Sequence, residues 1–283
     1  MIPTAKRSHT AILLNYKNES ILIDCGEGTQ RQFKIAKLSP SRLTRILLTH
    51  WHGDHVLGLP GLLETLHQSD CQRTLQIYGP RKIKDRVNQM KSLFNINTKT
   101  ETTEVSNRVF ETKEFIIEAE PMQHGTPALA YSFTIKEKLR LDKAKLKKLK
   151  IPHGPHMKQL QQGRSIKLEG KTITPKQVAY KEQGRKVAFI LDTKMNPNTI
   201  KIAKDADILV CEASFTEEID SKARENHLTA KDAATIAKKA KVKQLILTHL
   251  SQRYDYDNKP IENEAKKIFK NTKITKDLDE IEL

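Results

Sequence analysis

Leu48-Thr49-His50-Trp51-His52-Gly53-Asp54-His55 is the stretch that decides how this chain is read. Four residues of metal-ligand type fall within six positions. Random placement yields that pattern in fewer than roughly one in a thousand chains of this composition. In an extended segment residues i and i+2 point the same way, so His50 and His52 can share one ion. The neighbours Asp54 and His55 point apart and can reach a second ion, and Gly53 lets the backbone bend tightly between the two pairs. Neutral imidazole suits zinc, and a carboxylate completes a mixed nitrogen and oxygen set. Two ions roughly 3.5–4 Å apart form a clamp for in-line attack on phosphorus.

The motif cannot fill two coordination shells alone, and the flanking sequence supplies the rest. Arg45-Ile-Leu-Leu-Thr49 runs into His50, and its echo Gln244-Leu-Ile-Leu-Thr248 runs into His249. Ser20-Ile-Leu-Ile23 ends in Asp24, Val187–Leu191 ends in Asp192, and His124 follows another apolar run. Strands are expected at 10–15, 20–25, 45–49, 75–78, 115–120, 128–135, 187–191, 208–211 and 244–248, from their runs of Ile, Leu and Val. Helical patterns lie at 28–35, 61–68, 82–94, 197–203, 229–240 and 261–269, the fifth opened by Thr229 as N-cap with Asp232 three residues on. Alternating strands and helices imply an α/β layer fold. Ligands in such sheets gather at the carboxyl ends of strands, which points to one site built from distant segments: His124, Asp192 and His249 join the motif as expected ligands.

Composition bounds the partners. Lys and Arg number 50 against 34 Asp and Glu, a net charge of +16 that attracts polyanions such as nucleic acid. The three cysteines, Cys25, Cys71 and Cys211, form no CxxC pair and no disulfide framework, which suits a reducing cytoplasm. No signal-peptide pattern opens the sequence and no apolar stretch is long enough to span a membrane. The segment 136–150 holds eight basic and two acidic residues with a thin stripe of Leu139, Leu146 and Leu149, and a breaker-rich stretch follows. Residues 139–175 are therefore expected to leave the main body as an arm.

Here the pieces become recognisable together. Thr49-His50-Trp51-His52-Gly53-Asp54-His55 with Gly58-Leu59-Pro60-Gly61 resembles the metallo-β-lactamase superfamily. More narrowly, the chain resembles the tRNase Z family. The further motifs are Asp24-Cys25-Gly26-Glu27-Gly28, Ile151-Pro152-His153-Gly154-Pro155, Asp192-Thr193, Cys211-Glu212-Ala213-Ser214-Phe215, His227-Leu228-Thr229 and Thr248-His249-Leu250-Ser251. The resemblance covers nearly the whole chain. It implies a single metallo-β-lactamase domain over 1–283, a four-layer αβ/βα sandwich with a protruding basic arm at 139–175 that grips tRNA. It implies a zinc-dependent endoribonuclease that removes the 3′ trailer from precursor tRNA and leaves a 3′-OH at the discriminator nucleotide. The alternative is another phosphodiesterase or hydrolase of the same fold.

Residue roles follow from the same resemblance. His50, His52 and His124 would hold one Zn²⁺, Asp54, His55 and His249 the other, and Asp192 would bridge them; Mn²⁺ or Fe²⁺ also fit such sites. Asp54 would orient the attacking water, and His227, oriented by Glu212, would protonate the leaving oxygen. RNA contacts are expected from Arg7, Lys143, Lys147, Gly154, Pro155, Lys158 and Arg164. The family implies a homodimer. Family members usually open with a strand and a Gly-rich turn ahead of the segment matching Pro3–Ser8, whereas this chain starts almost at that segment.

Overall fold

The computed structural model describes residues 1–168, 170–218 and 225–283. It begins with an antiparallel pair, β1 (Ile12–Tyr16) and β2 (Glu19–Ile23). To β2 are added, in parallel, β3 (Arg45–Leu47), β4 (Leu75–Gly79) and β5 (Thr100–Glu104). Parallel neighbours need crossovers, and these carry α1 (Thr29–Ile35), α2 (Gly53–Val56), α3 (Leu59–Gln68) and α4 (Ile83–Leu93). Phe33, Leu62, Leu66 and Val87 of the helices pack on Leu22, Ile46 and Ile77 of the sheet. Alternate strand residues point to opposite faces, so Ile21, Ile23 and Leu47 are buried on the other side.

Next come β6 (Arg108–Glu111), β7 (Phe115–Met122) and β8 (Ala128–Ile135), followed by β9 (Lys138–Leu141), α5 (Lys143–Lys148), α6 (His156–Gln161), β10 (Ile166–Leu168), β11 (Lys171–Ile173), α7 (Pro175–Val178) and β12 (Ala179–Glu182). The chain ends with β13 (Arg185–Ile190), α8 (Pro197–Ala203), β14 (Ile208–Glu212), α9 (Ala230–Lys239), β15 (Gln244–Thr248), α10 (Lys259–Ile268) and β16 (Thr272–Ile274). A seven-stranded sheet runs β16-β15-β14-β13-β8-β7-β6. Its outer face packs on α8, α9 and α10, where α9 presents Ala230, Ala233, Ala234 and Ala237. Short side chains let that helix lie close to the sheet. Thr229 is the expected N-cap, and with Asp232 it forms a reciprocal capping box at the helix start.

The inner faces of the two sheets meet. The Tyr131 hydroxyl donates to the Leu48 carbonyl at 2.7 Å, the Leu129 amide donates to the Thr49 carbonyl at 2.9 Å, and the Tyr16 and Phe133 rings pack edge-on with centroids 5.5 Å apart. The order is helices, sheet, sheet, helices, as expected. Every expected strand and helix is present, with ends shifted by a few residues at most. The sequence reading lacks β5, β6, β9 to β12 and β16, and the short helices α2, α5, α6 and α7. β5 is an edge strand of Thr100-Glu-Thr-Thr-Glu104, whose polar residues give no apolar signal.

The chain divides into two compact units. The larger comprises 1–111, 117–133 and 186–283, the smaller 112–116 and 134–185. The segment 139–175 lies inside the smaller unit, whose bounds are wider. That unit has its own core of Leu146, Ile151, Leu160, Ile166, Ile173 and Val178, with β9 paired to β12 and β10 to β11. The expected stripe on it is corrected: Leu139 lies on a strand and Leu149 is exposed, leaving Leu146 as the buried member. Its 57 residues hold 16 Lys and Arg against 5 Asp and Glu, a net +11 of the chain's +16.

One backbone junction fixes the loop that bears the ligand motif. The Cys25 amide donates to the His55 carbonyl at 2.8 Å, and the Gly58 amide donates to the Cys25 carbonyl at 2.9 Å. A Cβ on Gly58 would collide with the Gly26 carbonyl, a backbone atom that cannot turn aside. Gly58→Ala should therefore lower unfolding free energy by about 1–3 kcal/mol in a urea titration. Gly53→Ala should cost less, because its Cβ meets only the flexible end of Leu57, at 3.0 Å.

Candidate metal centre

Each expected ligand leaves a strand end or the helix that follows one. His50 comes three residues after β3, His52 caps the start of α2, and Asp54 and His55 occupy the first turn of α2. His124 follows β7, Asp192 follows β13, and His249 follows β15. His249 takes left-handed backbone at φ 54°, as does Asp24 after β2 at φ 58°. Non-glycine residues hold that conformation only where their surroundings over-determine it. Both side chains are buried and hydrogen-bonded.

The seven residues converge into two groups that share Asp192. In the first, His50 Nε2 and His124 Nε2 each lie 3.7 Å from Asp192 Oδ2, and His52 Nδ1 lies 3.1 Å from His124 Nε2. In the second, His55 Nε2 and His249 Nε2 lie 3.3 and 3.1 Å from Asp192 Oδ1, and 3.5 and 3.4 Å from Asp54 Oδ2. One carboxylate thus turns one oxygen to each group. Ligands about 2.0–2.1 Å from a tetrahedral ion stand roughly 3.3–3.5 Å apart. The spacings in both groups fall around that value.

The donor set fits cations on independent grounds. The outer ring nitrogen of each deep histidine is already engaged. His55 Nδ1 donates to Asp24 at 2.6 Å and His124 Nδ1 to the Asn226 carbonyl at 2.9 Å. His50 Nδ1 lies 3.0 Å from Thr49 Oγ1, whose proton goes to Asp24. His249 Nδ1 lies 3.2 Å from Ser214 Oγ, which donates to Glu212. This leaves the Nε2 atoms directed inward, the arrangement expected of imidazole ligands held by an outer layer of partners. His50 Nε2 and Asp192 Oδ1 are buried with no hydrogen-bond partner.

Electrostatics agree. Burial, then the neighbouring imidazoles, push His50 down to about 2, so it stays neutral. Burial opposes the charge on Asp54 and Asp192, yet the facing histidines hold both well below the usual carboxylate range. Burial also opposes the charge on His55, but Asp24 and the two other carboxylates raise it. Such a cluster demands positive charge at its centre.

His227 stands beside both groups, 26% exposed, its ring centroid 5.4 Å from that of His124 and 5.7 Å from that of His249. Its Nδ1 is held by buried Glu212 at 2.9 Å. Burial pulls its pKa down, but the Glu212 hydrogen bond and charge, with Asp192, raise it above the usual histidine value. Glu212 also accepts the Thr193 amide at 2.7 Å, which fixes its direction. Asp24 is the positioning residue to which the sequence reading gave no role, although its place at a strand end was visible. It orients His55 and accepts both the amide and the hydroxyl of Thr49.

The other expected residues lie outside these groups. Arg7 spends a guanidinium nitrogen on the Thr275 carbonyl at 3.0 Å. Lys143, Lys147, Lys158, Arg164 and Pro155 are exposed in the smaller unit, where Gly154 is half-buried. Cys25 and Cys211 adjoin Asp24 and Glu212 but point the other way, into the two helix-covered cores. Burial pushes the Cys25 thiol up to about 12 and raises that of Cys211 as well.

Comparison with known proteins completes the description. Residues 3–274 match a family model described as the anti-Pycsar protein Apyc1. The ribonuclease Z of Methanosarcina mazei is 36% identical over 100% of this chain and 94% of its own length. That of Archaeoglobus fulgidus is 39% identical, again over 100% of this chain and 94% of its own. The crystal structure of human tRNase Z, short form, superposes with a TM-score of 0.69 at 25% identity, covering 99% of this chain and 94% of the human one. The metallo-β-lactamase fold protein YhfI of Bacillus subtilis shares the fold at TM-score 0.69 and 20% identity, over 97% of this chain and 91% of its own. With this site, this fold and full-length identity to two archaeal relatives, the chain belongs to the ribonuclease Z family of metallo-β-lactamase fold proteins.

Proposed function

We propose that this protein is an endoribonuclease that holds two Zn²⁺ and removes the 3′ trailer from precursor tRNA, leaving a 3′-OH at the discriminator nucleotide. The observation that carries the reading is the pair of ligand groups sharing Asp192 beside His227, in a chain of the ribonuclease Z family. His50, His52, His124 and Asp192 would hold one ion, and Asp54, His55, His249 and Asp192 the other. When bound, the ions make a water acidic enough to attack at neutral pH and neutralise charge on the phosphate. Asp54 would orient the water that attacks phosphorus. The bond to the 3′-oxygen of the discriminator breaks, and the phosphate stays on the trailer. Glu212 orients His227 and raises its pKa, and His227 would deliver a proton to the departing oxygen.

The smaller unit is assigned the substrate's remote contacts. Its charge of +11 is matched to phosphate backbone, and Lys143, Lys147, Lys158, Arg164 and the Gly154-Pro155 turn are the proposed points of contact, with Arg7 contributing from the larger unit. A homodimer acting in the cytoplasm completes the proposal. No helix among the described residues is long and apolar enough to cross a membrane. A second reading, hydrolysis of a smaller phosphodiester by the same centre, is kept because the family model that matches residues 3–274 carries a name other than ribonuclease Z.

The first experiment incubates zinc-loaded protein with a 3′-extended precursor tRNA and with bis(p-nitrophenyl) phosphate. A cut after the discriminator, lost in Asp54→Ala and on chelation, is the expected result; turnover of the ester alone would favour the smaller substrate. His227→Ala should slow precursor cleavage by about 10²–10⁴-fold while largely sparing the nitrophenyl ester, whose leaving group needs no proton. Asp24→Ala should weaken zinc binding about 10–100-fold in a chelator competition, a readout independent of activity. Lys143→Glu with Lys147→Glu should raise KM for the precursor. Each lysine–phosphate pairing that the substitutions remove should flatten the slope of log affinity against log salt by about 0.7–0.9.

A further inference from the structure

Tyr256 stands out of the surface. It is 91% exposed, where the next most open large apolar side chain among the described residues, Leu93, is 74% exposed. The Lys6 ammonium sits over one face of its ring, 4.5 Å from the centroid. Single exposed apolar side chains are ordinary on protein surfaces; this ring differs in being backed by a cation and in adjoining Asp255, which is hydrogen-bonded to Thr4 and Lys6. Thr4 Oγ1 donates to Asp255 Oδ1 at 2.9 Å and accepts the Arg7 amide at 3.0 Å. Arg7 is tied to the Thr275 carbonyl, and the Ser8 amide donates to Asp277 at 2.8 Å. On the other side, buried Tyr254 takes the Thr216 amide on its hydroxyl at 3.1 Å.

The mount lies in the segment that follows a ligand: His249 comes straight after β15, and seven residue steps later the chain reaches Tyr256. Seven steps of extended chain span at most about 24 Å, the reach of a few nucleotides along a strand. Proteins grip unpaired nucleotides by stacking bases on aromatic rings and by placing cations along the backbone. A ring with an ammonium on one face and solvent on the other presents both elements at once.

We propose that Tyr256, backed by Lys6, is a stacking platform for one unpaired base of the strand flanking the cleaved phosphodiester, with Lys6 facing the adjacent phosphate. The platform rests on the precursor RNA reading of the centre and makes that reading more specific. It holds the strand in register with the ligand groups and tolerates any base, because every base has a π-face.

The test is steady-state cleavage of a precursor with a single-stranded trailer by the zinc-loaded wild type, Tyr256→Ala, Tyr256→Trp and Lys6→Gln. Tyr256→Ala should raise KM by about 5- to 100-fold with little change in kcat. Tyr256→Trp should restore it, and Lys6→Gln should give a smaller rise. An abasic nucleotide at one position near the cut should raise KM for the wild type and add nothing to Tyr256→Ala. Unfolding midpoints should coincide, as fits so exposed a side chain. An unchanged KM for Tyr256→Ala beside normal wild-type cleavage would overturn the platform alone, as would equal impairment of the Ala and Trp variants. Failure of the wild type to cut any precursor would overturn the RNA reading and the platform together.

Discussion

The carboxylate of Asp192 is the point on which the rest of the structure depends. Its two oxygens face two separate histidine groups from a position almost wholly shut off from water. A buried charge is tolerated only when it is paired and hydrogen-bonded. Here the pairing is spread over residues that follow β3, β7 and β15, so the two sheets must meet in one register for the charge to be satisfied at all. The inner-face bonds from Tyr131 and Leu129 to the segment just ahead of His50 lock that register beside the centre.

The local chain shows what such an arrangement demands. Asp24 and His249 accept left-handed backbone, and Gly26 and Gly58 bring two backbone segments closer than any Cβ would allow. These four positions lie within the loops that hold ligands or their partners, and their backbone conformations and close approaches shape those loops. The scaffold supports them with apolar strands that run straight into the site.

Much of this was legible beforehand. His50, His52, Asp54 and His55 announced themselves by spacing, and the apolar runs ahead of His124, Asp192 and His249 marked them as strand-end residues. The role of Asp24 was not legible, because a lone aspartate after a strand reads equally well as a turn residue; only the 2.6 Å bond to His55 distinguishes it. The bounds of the smaller unit were hidden for another reason. Residues 112–116 and 134–138 include the ends of long apolar strands, and nothing in their composition says where a strand leaves one core for another. β5 was missed because its stability comes from pairing with β4 rather than from its own side chains. Tyr256 could not be singled out, since exposure is a property of the folded chain.

The placement of Cys25 and Cys211 has a chemical corollary. Each adjoins a carboxylate of the centre in sequence, yet strand alternation sends the sulfur into the opposite, helix-covered layer. Burial keeps both thiols protonated, and only the thiolate competes for soft metals or reacts with oxidants. The candidate ligands among the described residues are imidazoles and carboxylates alone, so a metal held by them would not be released by thiol oxidation.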